Sequence, residues 1–223
     1  MLDDAMVCWR EDVQPKLKAE GIHVLRYRDL KDKQRRLMRR YFEREIFPVL
    51  TPLAFDPGHP FPHISNLSIN LAVVVEDPLR GRQFARVKIP GVFPRFIRIP
   101  EEDRAETYET LGLNSVVDTN FVWIEEVIIE NLDMLFTGLD IVAAYPFRIT
   151  RDADLEIEED EASDLLASIE ESVGMRQFGS AVRLEVHKAM PREIRNILLD
   201  NLGIEPYLLY AVDGPIGLSH LME

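Results

Sequence analysis

The sequence predicts an α+β fold: a mixed, largely antiparallel sheet with packed helices, preceded by a short helical segment. Apolar and polar residues alternate over residues 67–75, which is typical of a strand with one buried face. Apolar residues lie three or four apart in residues 2–20 and 191–202, which is typical of amphipathic helices. The two patterns are intermixed without the regular strand–helix alternation of parallel α/β proteins, and this favours α+β.

Residues 1–47 are predicted to contain two helices joined by a short extended segment at residues 22–27, and because two helices are a thin core, they are predicted to be the tail of a larger unit. The first helix covers residues 2–20, where Pro15 should kink or divide it and Gly21 should end it. A second helix is predicted over residues 29–47, with an apolar stripe on one side and a basic side opposite. The basic side carries Arg35, Arg36, Arg39, Arg40 and Arg44. Prolines follow directly, so we place a domain boundary near residue 47.

Residues 48–210 are predicted to form an α+β domain, and residues 211–223 a connector. The domain opens with a proline-rich stretch, residues 49–64, which has the composition of an ordered linker. A β-meander should follow, apolar on one face and basic on the other. Its predicted strands cover residues 67–75, 84–89 and 96–99. Residues 79–100 contain six Lys or Arg and no acid, which explains the basic face.

The remainder of this domain is predicted to mix strands and helices. Strands are expected over residues 121–124, 141–151 and 182–187. Helical spacing extends over residues 125–136, 162–173 and 191–202. An acidic, turn-rich excursion is expected over residues 101–114. Residues 152–171 contain ten acids and no base, and acids crowd the start of the helix predicted there.

Composition excludes several classes of protein. The net charge is −13, from 39 acidic and 26 basic residues, which argues against a nucleic-acid partner. A single cysteine, Cys8, rules out an internal disulfide and fits a reducing compartment. The N-terminus lacks the basic region and apolar core of a signal peptide, and no apolar run reaches the ~20 residues of a membrane span. We therefore expect a cytoplasmic location.

A basic sheet face is the strongest candidate site. If the predicted strands are neighbours, their outward cations should share one side of the sheet. These candidate ligand-binding residues are Arg86, Lys88, Arg98, Arg148 and Arg183. Arginine forks match phosphate oxygens, so the face would suit a phosphate polyanion. The alternative is a solvated face, or one neutralised by the acidic stretch at residues 152–171.

Other candidate chemistry is weaker. His59 and His63 are four apart, but the prolines between them forbid the helix that a metal pair at this spacing needs. The acids at residues 152–158 lack the glycine and terminal glutamate of a calcium loop. Cys8, expected on the apolar stripe beside Trp9, has no obvious base partner. The chain has no phosphate-binding glycine loop, nucleophile elbow or cysteine cluster, so we assign no catalytic and no metal-ligating residue.

Six short stretches resemble the bacterial polyphosphate kinases of the first family. They occur in that family's order and cover almost the whole chain. They are residues 41–54 (YFEREIFPVLTPLA), 59–68 (HPFPHISNLS), 84–90 (FARVKIP), 94–97 (PRFI), 147–156 (FRITRDADLE) and 214–218 (GPIGL). The resemblance implies an enzyme that reversibly transfers the terminal phosphate of ATP to polyphosphate through a phosphohistidine, with magnesium.

The same resemblance implies a division of labour among domains. The family has an N-terminal helical domain, a head domain and two C-terminal catalytic domains, and this chain resembles the end of the first, the head and the linker beyond. The phosphorylated histidine and magnesium-linked arginines of the family have no matching positions here. We therefore expect a non-catalytic fragment that binds neither ATP nor magnesium itself.

Its implied roles are those of scaffold, homodimer surface and wall of a polyphosphate tunnel, next to the downstream catalytic domains. Its implied partners are polyphosphate, a second copy of the chain and those domains. Two alternatives remain at this point. One is an acidic interaction module without a ligand, and the other is a metal-dependent phosphate-processing enzyme that uses the acids at residues 152–158.

Overall fold

The computed structural model describes residues 2–55, 61–99, 119–152 and 179–218, and it confirms the predicted α+β class. The strands of these ranges form two sheets. They are β1 (Ile22–Leu25), β2 (Pro52–Phe55), β3 (Ile69–Asp77), β4 (Gly81–Lys88), β5 (Phe96–Arg98), β6 (Thr119–Trp123), β7 (Asp140–Arg151), β8 (Ala181–His187) and β9 (Leu209–Val212). The larger sheet has the order β2-β4-β3-β7-β8-β9, and the smaller has the order β1-β6-β5. Most neighbours are antiparallel, whereas β1 with β6 and β8 with β9 are parallel.

The described residues contain five α-helices. They are α1 (Leu2–Cys8), α2 (Gln14–Ala19), α3 (Asp32–Tyr41), α4 (Ile124–Ile129) and α5 (Arg192–Leu202). We call α3 together with the π-turn that follows it, Phe42–Ile46, the α3 segment. One core lies between this segment and the larger sheet, where Met38 and Phe42 pack with Leu71 and Val87. The other lies between α5 and the opposite face of the same sheet. Both faces of the larger sheet are therefore covered, which the sequence did not predict.

The predicted meander is correct for its first two strands and wrong for its third. β3 and β4 form an antiparallel hairpin, with Asn70 opposite Lys88 and Asp77 opposite Gly81. β5 instead joins the smaller sheet, where it pairs with β6. Residues 90–94 explain the difference, since this turn contains two prolines that cannot donate a ladder hydrogen bond. The chain therefore leaves the larger sheet after β4.

Two edge strands were missed. β2 lies within the stretch predicted as an ordered linker and pairs with β4, and its first residue is Pro52, a position that edge strands tolerate. β9 lies at the boundary of the predicted connector and pairs in parallel with β8. Both strands have only four residues, too short for a periodicity argument.

The helices follow the predicted breaks. A π-turn, Trp9–Val13, separates α1 from α2, whose first turn contains Pro15. Cys8 is exposed and not on the apolar stripe, because it lies between Met6 and Trp9 on the helix and these two fill the core side. α5 begins after Pro191 and ends at Gly203, which takes the left-handed conformation with φ of 62°.

Several predictions lie outside the described residues. These are the acidic excursion at residues 101–114, the acidic helix beyond Asp152, and His59. The domain boundaries near residues 47 and 210 stay predictions. Among the helices that the structure describes, none has the length and hydropathy needed to cross a membrane.

Candidate functional site

Strand register separates the cations that the sequence placed on one basic face. Residues paired across a ladder point to the same face of a sheet, and consecutive residues point to opposite faces. Lys88 pairs with Asn70, and Asn70 pairs with Phe147 on its other side. Arg148 follows Phe147 in the chain and therefore lies on the opposite face from Lys88. The prediction of a single basic face is wrong.

We name the two faces of the larger sheet after the helices that cover them. The α5 face carries Arg86 and Lys88, and the α3 face carries Arg148 and Arg183. Arg98 lies in the smaller sheet on β5. The error has a physical cause: alternation assigns two sides to each strand, but only the register between strands aligns those sides.

Arg86 is a buried residue of the α5 face. Its Nε donates a hydrogen bond of 2.8 Å to Asn70 Oδ1, and Asn70 Nδ2 donates to the Ser68 carbonyl at 3.0 Å. Both Arg86 and Asn70 are buried. Burial lowers the pKa of Arg86, because a buried guanidinium loses hydration. This side chain fixes the start of β3 to β4 and is not accessible to a large anion.

Lys88 and Arg148 hold the loop before β3 from opposite faces. Lys88 is exposed, and its Nζ donates to Ser65 Oγ at 3.1 Å. Arg148 Nε donates to the Leu67 carbonyl at 3.2 Å, and the Leu67 amide donates to the Ile149 carbonyl at 3.0 Å. Leu67 has a φ of 57°, a conformation that costs a leucine about 1–2 kcal/mol. The surrounding hydrogen bonds hold the loop in this strained form.

Arg148 also belongs to an ion network on the α3 face. Its Nη1 lies 3.3 Å from Glu185 Oε2, and Arg183 Nη2 lies 2.5 Å from Glu185 Oε1. The Arg183 guanidinium carbon lies 4.7 Å from the ring centre of Tyr210 on β9. Only Arg183 is appreciably accessible, with a side chain 36% exposed against 14% for Arg148. Two cations share one carboxylate, so the network retains a net positive charge.

A buried ion pair was missed by sequence reasoning. Arg95 Nη2 lies 2.5 Å from Glu125 Oε1 and donates to the Ile216 carbonyl at 2.8 Å. Both side chains are at most 7% exposed, and the guanidinium carbon lies 5.2 Å from the Trp123 ring centre. The pair joins β5, α4 and the segment after β9. Arg95 sits in an apolar stretch of sequence, residues 92–97, a weak signal that could have suggested burial.

Two of the five candidate cations, Arg86 and Arg148, are enclosed and hold neighbouring segments in place. Arg98 is exposed and has no side-chain hydrogen bond or ion pair with other described residues. In the parts of the chain that the structure describes, no group of three or more His, Cys, Asp or Glu could hold a metal ion. The accessible candidates for an anion are therefore Lys88, Arg98 and Arg183, and they lie on separate surfaces.

Comparison with known proteins gives a consistent match. A family model described as the polyphosphate kinase middle domain matches residues 33–223. The chain is 46% identical over 217 residues to polyphosphate kinase 1 of Chlorobaculum tepidum, covering 97% of this chain and 30% of that protein. It is 49% identical over 216 residues to a polyphosphate kinase of Aphanizomenon baltica, covering 96% of this chain and 54% of that protein.

The fold matches a solved structure as well. The crystal structure of polyphosphate kinase from Porphyromonas gingivalis superposes with a TM-score of 0.74 at 21% identity. The match covers 97% of this chain and 29% of the solved chain. The present chain thus spans less than two thirds of the length of each of these relatives.

Proposed function

The chain belongs to the polyphosphate kinase family as a middle domain, and from that premise we propose that it is the non-catalytic support domain of an enzyme that transfers the terminal phosphate of ATP to polyphosphate. In this proposal other parts of the enzyme contain the phosphorylated histidine and bind ATP and magnesium. This chain supplies a rigid scaffold, a surface for a homodimer in the cytoplasm and part of the wall along which polyphosphate passes.

One observation carries the scaffold role: helices pack on both faces of the larger sheet, and the enclosed arginines are hydrogen-bonded to neighbouring side chains. Arg86 bonds to Asn70, Arg148 to Glu185, and Arg95 to Glu125. Buried charges that are paired and hydrogen-bonded fix side chains in one geometry, whereas a catalytic charge must reach a substrate. A domain held in one geometry in this way suits a support for the catalytic domains of the enzyme.

For polyphosphate contact, accessibility divides the sequence-derived candidates. We propose that Lys88, Arg98 and Arg183 touch the polyanion, because their side chains reach solvent. Arg86 and Arg148 act through structure, since their guanidinium groups are largely enclosed and hydrogen-bonded to the protein. Neutralising the first three should weaken contact without unfolding the domain.

A domain replacement tests the proposed function. This chain would replace the matching region of the Chlorobaculum tepidum enzyme, to which it is 46% identical. We expect the hybrid to form polyphosphate from ATP and the isolated chain to form none. A folded but inactive hybrid, or ATP-dependent phosphate transfer by the isolated chain, would contradict the proposal. The unmodified relative, purified in the same way, is the reference for activity.

A further inference from the structure

The arginines of α3 fall into two groups with different surroundings. Arg39 makes a bidentate pair with Asp133, at 2.6 and 3.1 Å, and also contacts Asn131. Arg35 Nη2 donates to the Arg28 carbonyl at 2.6 Å. These two arginines tie the helix to its neighbours. The remaining arginines of this segment have a different role.

Three arginines recur every four residues along the outer side of this segment. They are Arg36, Arg40 and Arg44, which we call the arginine ridge. Four residues of α-helix advance about 6 Å and return to nearly the same side. Arg44 lies in the π-turn Phe42–Ile46, and the backbone stays helical at the junction, with φ of −56° and ψ of −51° at Phe42. The three side chains therefore form one row.

The core fixes the direction in which this row points. Met38, Phe42 and Ile46 are 0% exposed and pack against the larger sheet. The arginine ridge lies away from these residues, and all three of its members are exposed. A helix anchored by three buried side chains cannot turn its cations inward. The row is a fixed feature of the surface.

The ridge arginines form no ion pair in the described ranges, although exposed acids lie on the same segment: Asp32 is four residues before Arg36, and Glu43 is three residues after Arg40. None of its arginines forms an ion pair or a side-chain hydrogen bond with another described residue. Like charges four apart on a helix destabilise it by about 0.2–0.5 kcal/mol per pair. An exposed row of guanidinium groups that are not held in ion pairs keeps its hydrogen-bond donors free for an anionic ligand, which its positive potential attracts.

From these observations we propose that the arginine ridge is a binding surface for inorganic polyphosphate, a linear phosphate polyanion. This surface is distinct from the sheet cations Lys88, Arg98 and Arg183. The proposal rests on the proposed function, because that function makes polyphosphate the phosphate polymer this protein meets. Each guanidinium fork can donate two hydrogen bonds to the oxygens of one phosphate, and a row of forks holds an extended chain along the helix.

Single-stranded nucleic acid fits the ridge less well. Surfaces for single strands combine cations with exposed aromatic rings on which the bases stack. The aromatic residues of this segment point elsewhere: Phe42 is buried, and Tyr41 is half-buried, with its pKa raised chiefly by burial. A row of cations without a stacking surface favours a polymer that has phosphates and no bases.

The test is polyphosphate affinity of the complete 223-residue chain. Sodium polyphosphate would be titrated calorimetrically at several salt concentrations. For Arg36→Gln/Arg40→Gln/Arg44→Gln we expect about a tenfold or greater weakening, which corresponds to about 1.4 kcal/mol or more. The salt dependence should also become shallower, since fewer counterions are released. Arg→Lys changes at the same positions keep the charge and lose the forks, so an intermediate affinity is expected.

A charge-matched variant is the control. Lys18→Gln/Arg80→Gln/Arg192→Gln removes the same charge from exposed positions on other elements, and we expect less than a threefold change. Equal losses in both variants, or unchanged binding in the ridge variant, would overturn the inference. Equal affinity for an oligonucleotide with the same number of phosphates would overturn the choice of ligand. The domain replacement succeeds or fails independently of these titrations, because it measures phosphate transfer.

Discussion

The enclosed arginines of the two sheets and the outer arginines of α3 have the same chemistry and opposite surroundings. Arg86, Arg95 and Arg148 are enclosed, and each is hydrogen-bonded to the side chain of Asn70, Glu125 or Glu185. Arg36 and Arg40 are exposed and have no such partner among the described residues. The difference teaches that in this domain the enclosed arginines Arg86, Arg95 and Arg148 maintain structure, whereas the outer arginines of α3, Arg36 and Arg40, are available to a ligand.

The largest expected effect breaks the most buried pair of the first group. Glu125→Ala leaves the Arg95 guanidinium in an apolar site without its carboxylate, and removal of one member of a buried pair costs about 3–5 kcal/mol. Urea denaturation would measure the free energy of unfolding. Glu130→Ala, an exposed acid that follows the same helix, should change it by less than about 0.5 kcal/mol. A small effect of Glu125→Ala would remove this pair from the structural group.

A smaller effect is expected in the network on the α3 face. Glu185→Ala removes the acceptor shared by Arg148 and Arg183, but both arginines keep other contacts. Loss of hydrogen bonds to a charged group should cost about 1.5–3 kcal/mol. Glu205→Ala, at an exposed position, is the matched control. If both variants were equally stable, the network would not be structural.

The third prediction concerns Glu126, whose partly buried carboxyl should make the stability of the fold depend on pH. Glu126 accepts a hydrogen bond of 2.6 Å from the Tyr27 amide, and burial raises the pKa of this carboxyl above its ordinary value of 4.5. The folded state then holds the proton to higher pH than the unfolded state, so this group lowers stability as pH rises from 4.5 through the folded pKa.

Glu126→Gln should remove that part of the dependence. The unfolding free energy of the wild type minus that of the variant should decrease with rising pH, by at most about 1.4 kcal/mol per pH unit. Above the folded pKa it should be constant. Denaturation from pH 4 to 8 measures it, at about one-unit steps. A difference independent of pH would show that Glu126 titrates alike in both states.

The smallest expected effect belongs to the arginine ridge. Arg36→Gln/Arg40→Gln/Arg44→Gln should leave stability unchanged or raise it by a few tenths of a kcal/mol, because like-charge repulsion is relieved. Thermal unfolding without ligand is the measurement. A clear loss of stability would mean that the ridge supports the fold, and the comparison between the two groups would fail.

The sequence predicted the individual helices and strands better than it predicted the basic sheet face. The strands over residues 141–151 and 182–187 and the helix after Pro191 follow from local periodicity, and the structure contains them. Which side of β7 aligns with which side of β4 depends on the register of three strands, and no local pattern encodes it. For that reason Arg86 and Arg148 could each be assigned to a polar side of a strand, but not to a common face.

The second limit on prediction from sequence was the burial of the polar sides of strands. Each polar side of a strand was taken as solvated, because one covered face is the usual arrangement of an antiparallel sheet. Here α5 packs on one face and α3 on the other, and the polar-side residues Arg86 and Glu185 are buried, the latter against Arg148 and Arg183. The basic side of α3, by contrast, is visible from spacing alone, since a helix has one outer side whatever it packs against.

Arginine-specific chemical labelling of the whole chain, read residue by residue by mass spectrometry with and without polyphosphate, tests the distinction most directly. We expect Arg36, Arg40 and Arg44 to react rapidly in the free chain and to be protected by polyphosphate. Arg86, Arg95 and Arg148 should react slowly in both conditions. Rapid labelling of Arg86 or Arg148 with protection by polyphosphate, while the arginine ridge stays unprotected, would contradict the account.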